Sequence, residues 1–112
     1  MTDPFVPVAQ LDALAPGEVL GVVASGVEIA LVRDEDGGIH ALEDRCSHDD
    51  VPLSDGDVDG CALECWKHGS QFDLVTGRPQ QLPAVRPVAV LPVRVDLSTG
   101  EIAVDPTALL AP

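Results

Sequence analysis

The chain has 112 residues, of which 46% are hydrophobic and 22% charged, a balance typical of one globular domain rather than a disordered segment. Six Lys and Arg against nineteen Asp and Glu give a formal charge of −13, which argues against nucleic acid and anionic membranes as partners. The sequence has no long apolar run and no basic stretch leading into an apolar one near its start, so we expect no membrane span, no signal peptide and a cytoplasmic location.

Short β-rich runs separated by turn residues predict an all-β sandwich or barrel, and no long segment has helical spacing. Glycine-containing turns are expected at 34–38 and 98–100, where tight hairpins need positive φ. A frayed turn is expected at 107–111. The predicted strands are Val19–Ala24, Val27–Arg33, Ile39–Arg45, Val88–Leu97 and Glu101–Asp105.

The middle of the chain has a different composition. All three cysteines and two of the three histidines lie between residues 46 and 76. Prolines at positions 79, 83, 87 and 92 follow, and they predict a stiff extended loop because proline lacks the backbone N–H that a central strand needs. We therefore expect a single domain in which the two ends of the chain build a β frame around an inserted chemical module.

Two motifs carry that chemistry, Cys46-Ser47-His48 and Cys65-Trp66-Lys67-His68. Each offers one thiolate and one imidazole from a tight loop, and residues 49–64 leave room for a short hairpin that brings the loops face to face. Two Cys and two His suit either zinc or an iron–sulfur cluster. The mixed loops and the Cys-x-His spacing favour a cluster with the cysteines on one iron and the histidines on the other, with zinc as the alternative. An odd cysteine count argues against a disulfide framework.

The two motifs and their flanks resemble the Rieske [2Fe–2S] proteins. The resemblance runs through residues 46–56 and 65–77 and continues through the proline loop into 91–95. It implies an antiparallel β-sandwich or barrel base, formed by about 1–45 and 78–105, with a cluster-binding subdomain at about 46–77 and a tail at 106–112. It further implies one [2Fe–2S] cluster, whose buried iron would be held by Cys46 and Cys65 and whose outer iron by His48 and His68.

The resemblance extends to residues around these ligands. Gly69, like Gly56, would let the backbone approach the cluster closely. Ser70 stands where quinol-oxidising Rieske proteins carry a serine that bonds the cluster, a surface serine being the alternative. Phe72 replaces a tyrosine that bonds a ligand cysteine in those proteins, so that bond is expected to be missing. Because the extra disulfide cysteines of that class are also absent, the chain resembles the soluble ferredoxin or oxygenase type.

Docking residues are also proposed from the sequence. Asp49 and Asp50, together with Asp44, suggest an acidic rim interrupted by Arg45 and Lys67. Trp66 is expected either to shield the cluster or to form part of a docking tip.

Two further residues are assigned no role in electron transfer. Cys61 shares a predicted strand face with Leu63 and is expected to be a buried, inert thiol. His40 is expected to be a structural or surface residue.

These features together predict a soluble, monomeric one-electron carrier that passes electrons from a flavin reductase to a non-haem iron ring-hydroxylating oxygenase. A partner with a basic docking patch would suit its charge. It is not expected to be an enzyme, because after the four ligands only His40 remains to hold the mononuclear iron that oxygenases require. Alternatives are a Rieske protein accessory to iron–sulfur cluster assembly, and a redox-sensing or zinc-binding module.

Overall fold

The computed structural model describes residues 4–46, 51–67, 69–80 and 86–109. Within them the chain forms short strands and three 3-10 helices, Leu11–Ala13, Leu53–Asp55 and Thr107–Leu109. None of the described helices is long and apolar enough to cross a membrane. The strands are β1 Val6–Gln10, β2 Glu18–Ala24, β3 Val27–Arg33, β4 Ile39–Glu43, β5 Asp57–Asp59, β6 Ala62–Glu64, β7 Gln71–Asp73, β8 Val90–Leu91, β9 Val93–Asp96 and β10 Glu101–Val104.

These strands form three antiparallel sheets, which confirms the all-β prediction. The first sheet has the order β1-β10-β9, the second β2-β3-β4-β8 and the third β5-β6-β7. The third sheet is a small meander whose three strands come between β4 and β8 in the chain, and the second cysteine motif lies in the connection between its strands β6 and β7. Sheet order therefore separates a frame of two sheets from one small sheet that carries the second motif.

Strand β3 lies between two hydrophobic cores, because alternate side chains of a strand point to opposite faces. Ile29 and Leu31 belong to one core, whereas Ala30 and Val32 belong to the other, and all four are fully buried. Both faces of the central sheet are thus covered, one by the first sheet and one by the third.

We call the two cores the frame core and the site core. The frame core joins the central sheet to the first sheet and consists of Leu14, Ala24, Ile29, Leu31, Ala41, Leu91, Ile102 and Val104. The site core joins the central sheet to the motif-bearing segments and consists of Ala30, Val32, Leu42, Cys46, Leu53, Leu63, Cys65, Phe72, Leu74 and Val88. Two of the three cysteines therefore lie in the site core.

The ends of the predicted frame strands shift by up to two residues, and two larger differences are found. The predicted strand Val88–Leu97 is divided, because Pro92 has no N–H to donate and its carbonyl accepts instead from the Asp105 N–H at 3.0 Å. Strand β8 before it pairs with β4 in the central sheet, while β9 after it pairs with β10 in the first sheet. Strand β1 was not expected, and it pairs with β10 across an irregularity between Pro7 and Ala9.

Candidate metal centre

The first cysteine motif begins just after β4. The Cys46 N–H donates to the Val51 carbonyl at 2.8 Å, which joins the two described ends of the first ligand loop, residues 46–52. The Cys46 side chain is 2% exposed. Its thiol is therefore held inside the protein by a loop whose ends are tied together.

The second cysteine motif occupies the connection between β6 and β7, which pair as a hairpin. The Cys65 N–H donates to the Ser70 carbonyl at 2.7 Å, and the Gly69 N–H donates to the Cys65 carbonyl at 3.0 Å. Gly69 has φ +76°, a conformation that a side chain would strain. This tight turn leaves Cys65 1% exposed.

The two buried thiols fit the sulfur half of a metal centre. Cys46 and Cys65 come from separate loops and belong to the same site core. Cysteine thiolates bind the iron of such clusters, and closely packed apolar side chains around them limit the access of water to the metal. The other two predicted ligands, His48 and His68, lie outside the described residues, as do the predicted docking residues Asp49 and Asp50. Their roles stay predictions.

Two neighbours of the cysteines line the site core from the β7 side. The Phe72 side chain is fully buried in β7, opposite Leu63 of β6. Ser70 is also fully buried, so the surface alternative for this serine is wrong. Its bond to the cluster stays a prediction, as does a role for Gly69.

Asp44 does not belong to an exposed acidic rim. It is only 8% exposed. The Ser54 N–H donates to Asp44 Oδ1 and the Ser54 hydroxyl donates to Asp44 Oδ2, both at 2.7 Å. A carboxylate can be buried when its oxygens are satisfied in this way, and the sequence alone gives no sign of that pairing. Sequence reasoning assigned no role to Ser54.

The exposed side chains next to the buried cysteines are aromatic and basic, not acidic. Trp66 is 54% exposed, and Lys67 and Arg45 are exposed as well. Trp66 therefore presents a large aromatic surface to solvent at the tip of the β6–β7 connection, which favours the docking reading over shielding alone. The exposed residues that directly adjoin the two cysteines in sequence are thus one aromatic residue and two basic ones.

Cys61 and Gly56 differ from expectation. Cys61 is exposed because it lies in the turn between β5 and β6, outside the strand alternation that would have buried it. Position 56 has no room for a side chain, because a Cβ there would lie 1.8 Å from the backbone carbonyl oxygen of Glu64. The buried-thiol prediction for Cys61 is wrong, and Gly56 has a structural reason that does not involve a cluster.

The proline loop is tied to the same region by a carboxylate-capped turn. The Asp73 carboxylate accepts from the Thr76 and Val75 N–H groups at 2.9 and 2.8 Å, and these bonds lower its pKa, with Thr76 contributing most. Beyond that turn the Val88 N–H donates to the Gly77 carbonyl at 2.9 Å. Gly77 has no room for a side chain there, because a Cβ would lie 2.0 Å from the Val88 carbonyl oxygen.

The far end of β4 carries the third histidine. His40 Nε2 lies 2.8 Å from Asp34 Oδ2 in the β3–β4 hairpin, and the side chain is 21% exposed. The pKa of Asp34 is lowered chiefly by this hydrogen bond and next by the Gly38 N–H. His40 is a structural residue of the hairpin, as expected.

Comparison with known proteins gives consistent matches. The family model of the Rieske [2Fe-2S] domain matches residues 4–92. A ferredoxin component of the naphthalene 1,2-dioxygenase/salicylate 5-hydroxylase systems of Ralstonia sp. is 35% identical over 96 residues, covering 86% of this chain and 91% of the relative.

Two solved structures are similar over almost their whole length. The ferredoxin of carbazole 1,9a-dioxygenase from Nocardioides aromaticivorans IC177 has 38% identity and a TM-score of 0.82, covering 89% of this chain and 95% of that one. A chain in a complex of reduced oxygenase and oxidised ferredoxin in carbazole 1,9a-dioxygenase has 32% identity and a TM-score of 0.83, covering 93% of this chain and 94% of that one.

Proposed function

The chain belongs to the Rieske [2Fe–2S] domain family, and from that premise we propose that it carries single electrons from a flavin-dependent reductase to the non-haem iron oxygenase of a ring-hydroxylating system. It is an electron-transfer component and not itself a catalyst. One electron enters from the reduced flavin and one leaves to the oxygenase, with no atom transferred. The [2Fe–2S] cluster supplies this one-electron chemistry when bound.

The main support is similarity along the whole length of ferredoxins. This chain covers 95% of the carbazole dioxygenase ferredoxin at 38% identity, so it corresponds to the separate electron carrier of that system. The complex of an oxygenase with such a ferredoxin shows that those proteins meet directly. The related ferredoxins serve dioxygenase systems, which favours this function over zinc binding or redox sensing.

For the ligands, we propose Cys46 and Cys65 on the inner iron and His48 and His68 on the outer iron. Burial of both thiols in the site core supports the cysteine half of this assignment. The histidine half rests on the two sequence motifs. Histidines on the outer iron would form the exit for electrons, since imidazole edges can reach the surface while buried thiolates cannot.

For docking, we propose that the partners meet the loop tips, where the exposed Trp66 and Lys67 directly follow the buried Cys65. An exposed aromatic side chain beside a charge is typical of interface anchors. The predicted Asp49 and Asp50 belong to the same proposed surface. We further propose that the protein is a monomer with the single-domain layout expected from the sequence.

The function is tested in two steps. The purified protein is expected to be brown-red, to contain two irons and two sulfides, and to take up one electron per cluster in an anaerobic titration. Reduced protein is then mixed by stopped flow with the oxygenase of a ring-hydroxylating system from the same organism. Rapid reoxidation of the cluster with product formation is expected. A colourless protein holding one zinc, or a cluster that no such oxygenase reoxidises, would contradict the proposal.

A further inference from the structure

A carboxylate and a serine join the two sides of the first ligand loop. Asp44 precedes Cys46 by two residues, and Ser54 lies in the 3-10 helix Leu53–Asp55 that follows the loop. The Ser54 N–H and hydroxyl each donate to a different oxygen of Asp44, both at 2.7 Å. Two hydrogen bonds to the two oxygens of one carboxylate fix orientation as well as distance.

Three further contacts connect this pair to the frame and to the site core. The Asp44 N–H donates to the Glu28 carbonyl at 3.2 Å. Leu53, directly before Ser54, is fully buried in the site core together with Cys46. The Cys46 N–H donates to the Val51 carbonyl within the loop that the pair encloses. A shift of Ser54 relative to Asp44 would therefore move the loop that presents Cys46.

A glycine of β2 leaves the space in which the pair sits. A Cβ on Gly21 would lie 2.9 Å from Ser54 Oγ and 3.3 Å from Asp44 Oδ2. Gly21 is in the middle of β2, opposite Ala30, where glycine weakens a strand and so needs a specific reason. Close approach of the pair supplies that reason.

We propose that Asp44, Ser54 and the space at Gly21 form a positioning latch that holds the first ligand loop, and through it Cys46, against the β frame. The latch acts by hydrogen-bond geometry and not by the charge of Asp44. This inference rests on the proposed ligation of the cluster by Cys46. It explains how the chain keeps the Cys46 side chain in place during repeated electron transfer.

The test compares latch variants with a matched control pair. The latch variants are Asp44→Ala, Asp44→Asn, Ser54→Ala and Gly21→Ala. The control variants are Asp96→Ala and Ser98→Ala, because the exposed Asp96 accepts from the N–H and hydroxyl of Ser98 at 2.9 and 2.7 Å in a hairpin of the frame. The control pair thus has the same two donors on one aspartate, although both bonds go to Oδ1, and it lies in the β9–β10 hairpin rather than beside the ligand loop.

Three quantities are measured for each variant. They are the rate of cluster loss on mild heating, the g values of the reduced cluster, and hydrogen exchange at the Ser54 amide. Ser54→Ala and Asp44→Ala are expected to speed cluster loss about tenfold, the scale of one lost hydrogen bond, and to broaden the EPR lines from which the g values are read. Gly21→Ala is expected to act in the same direction with every polar group of the latch intact, and the control variants are expected to leave all three quantities unchanged.

Asp44→Asn distinguishes geometry from charge. The amide oxygen can still accept from the Ser54 N–H, so this variant is expected to lie near the wild type and well apart from Asp44→Ala. An Asn variant equal to the Ala variant, or a latch series no different from the control series, would overturn the proposal. If wild-type protein forms no cluster, the proposed ligation fails, while amide exchange at Ser54 in the metal-free chain still shows whether the latch holds the loop.

Discussion

At the residue scale, burial distinguishes the three cysteines. Cys46 and Cys65 are almost fully buried in one core, whereas Cys61 lies exposed in a turn. Cys46→Ser and Cys65→Ser are each expected to abolish the cluster and to destabilise the fold, because metal binding is coupled to folding. Visible absorption, iron content and the thermal melting curve measure both effects.

Cys61→Ser is the matched control for these variants. It is expected to keep the wild-type spectrum and melting temperature, since an exposed turn thiol contributes little packing. A bleached Cys61→Ser beside a coloured Cys65→Ser would show that the ligand assignment is wrong.

Phe72 bears on the reduction potential, which we expect near the lower end of the Rieske window, at about −150 mV. Its ring is fully buried in the site core with both ligand cysteines, and it has no hydroxyl to donate to a sulfur. Phe72→Tyr is expected to raise the potential by about 50 mV, because one added hydrogen bond stabilises the more negative reduced state. Protein-film voltammetry measures the shift.

Phe5→Tyr serves as the control for that change. Phe5 is the other phenylalanine of the chain, and its ring lies under the Arg94 guanidinium, 4.5 Å from the ring centroid. The same added hydroxyl is expected to leave the potential unchanged there. A wild-type potential well above 0 mV, or a Tyr variant at position 72 with an unchanged potential, would contradict this account.

At the scale of elements, the β3–β4 hairpin depends on one carboxylate. Asp34 Oδ1 accepts from the Asp36 and Gly38 N–H groups, both at 2.9 Å, and Oδ2 lies beside His40. These bonds lower the pKa of Asp34 below its ordinary 3.8. The ionised form therefore stabilises the fold above that ordinary value, and the stabilisation is lost as the pH falls through the lowered pKa.

Asp34→Asn is accordingly expected to cost about 1 kcal/mol of stability at pH 7 and progressively less in acid. The difference in Tm between the variant and the wild type, followed from pH 7 to pH 3 by circular dichroism, measures this. Asp36→Asn, an exposed neighbour in the same turn, is the control. A difference that does not change with pH would show that the charge of Asp34 is not involved.

Local sequence signals predicted the parts of the fold that depend on neighbouring residues. The strand Val27–Arg33 and its turn followed from alternation and glycines, and the structure reproduces both. The division at Pro92, the strand β1 and the burial of Asp44 depend instead on partners distant in the chain, which periodicity does not report. In the site, the paired motifs identified Cys46 and Cys65, but strand alternation did not hold at Cys61, because Cys61 is the last residue of the turn and β6 begins only at Ala62.

At the scale of the whole molecule, charge is expected to control the encounter with partners. The net charge of −13 favours partners with a basic surface, and screening by salt is expected to slow association steeply. Arg45 and Lys67 are exposed beside the two cysteines, and Asp49 and Asp50 are the acidic residues that the sequence places in the first ligand loop. Asp49→Lys with Asp50→Lys is expected to lower the association rate by about tenfold without changing the spectrum.

The control for this double change is Glu35→Lys with Asp36→Lys. Both residues are exposed in the hairpin turn at the opposite end of β4 from Cys46, so the net charge changes equally but away from the ligand loops. Stopped-flow reduction by the reductase across a salt series compares the two. Equal slowing would mean that only total charge matters, and rates indifferent to salt would mean that docking is apolar and centred on Trp66.

The exposed Trp66 has a practical consequence for studying this protein. The chain contains one tryptophan and no tyrosine, so nearly all of its ultraviolet fluorescence comes from the tip of the β6–β7 connection. That indole is 54% exposed and follows a cysteine that is buried beside the proposed cluster. Its emission is therefore a native, label-free signal at the proposed docking surface. Quenching of the emission would report cluster occupancy, and a shift of its maximum wavelength would report binding of a partner.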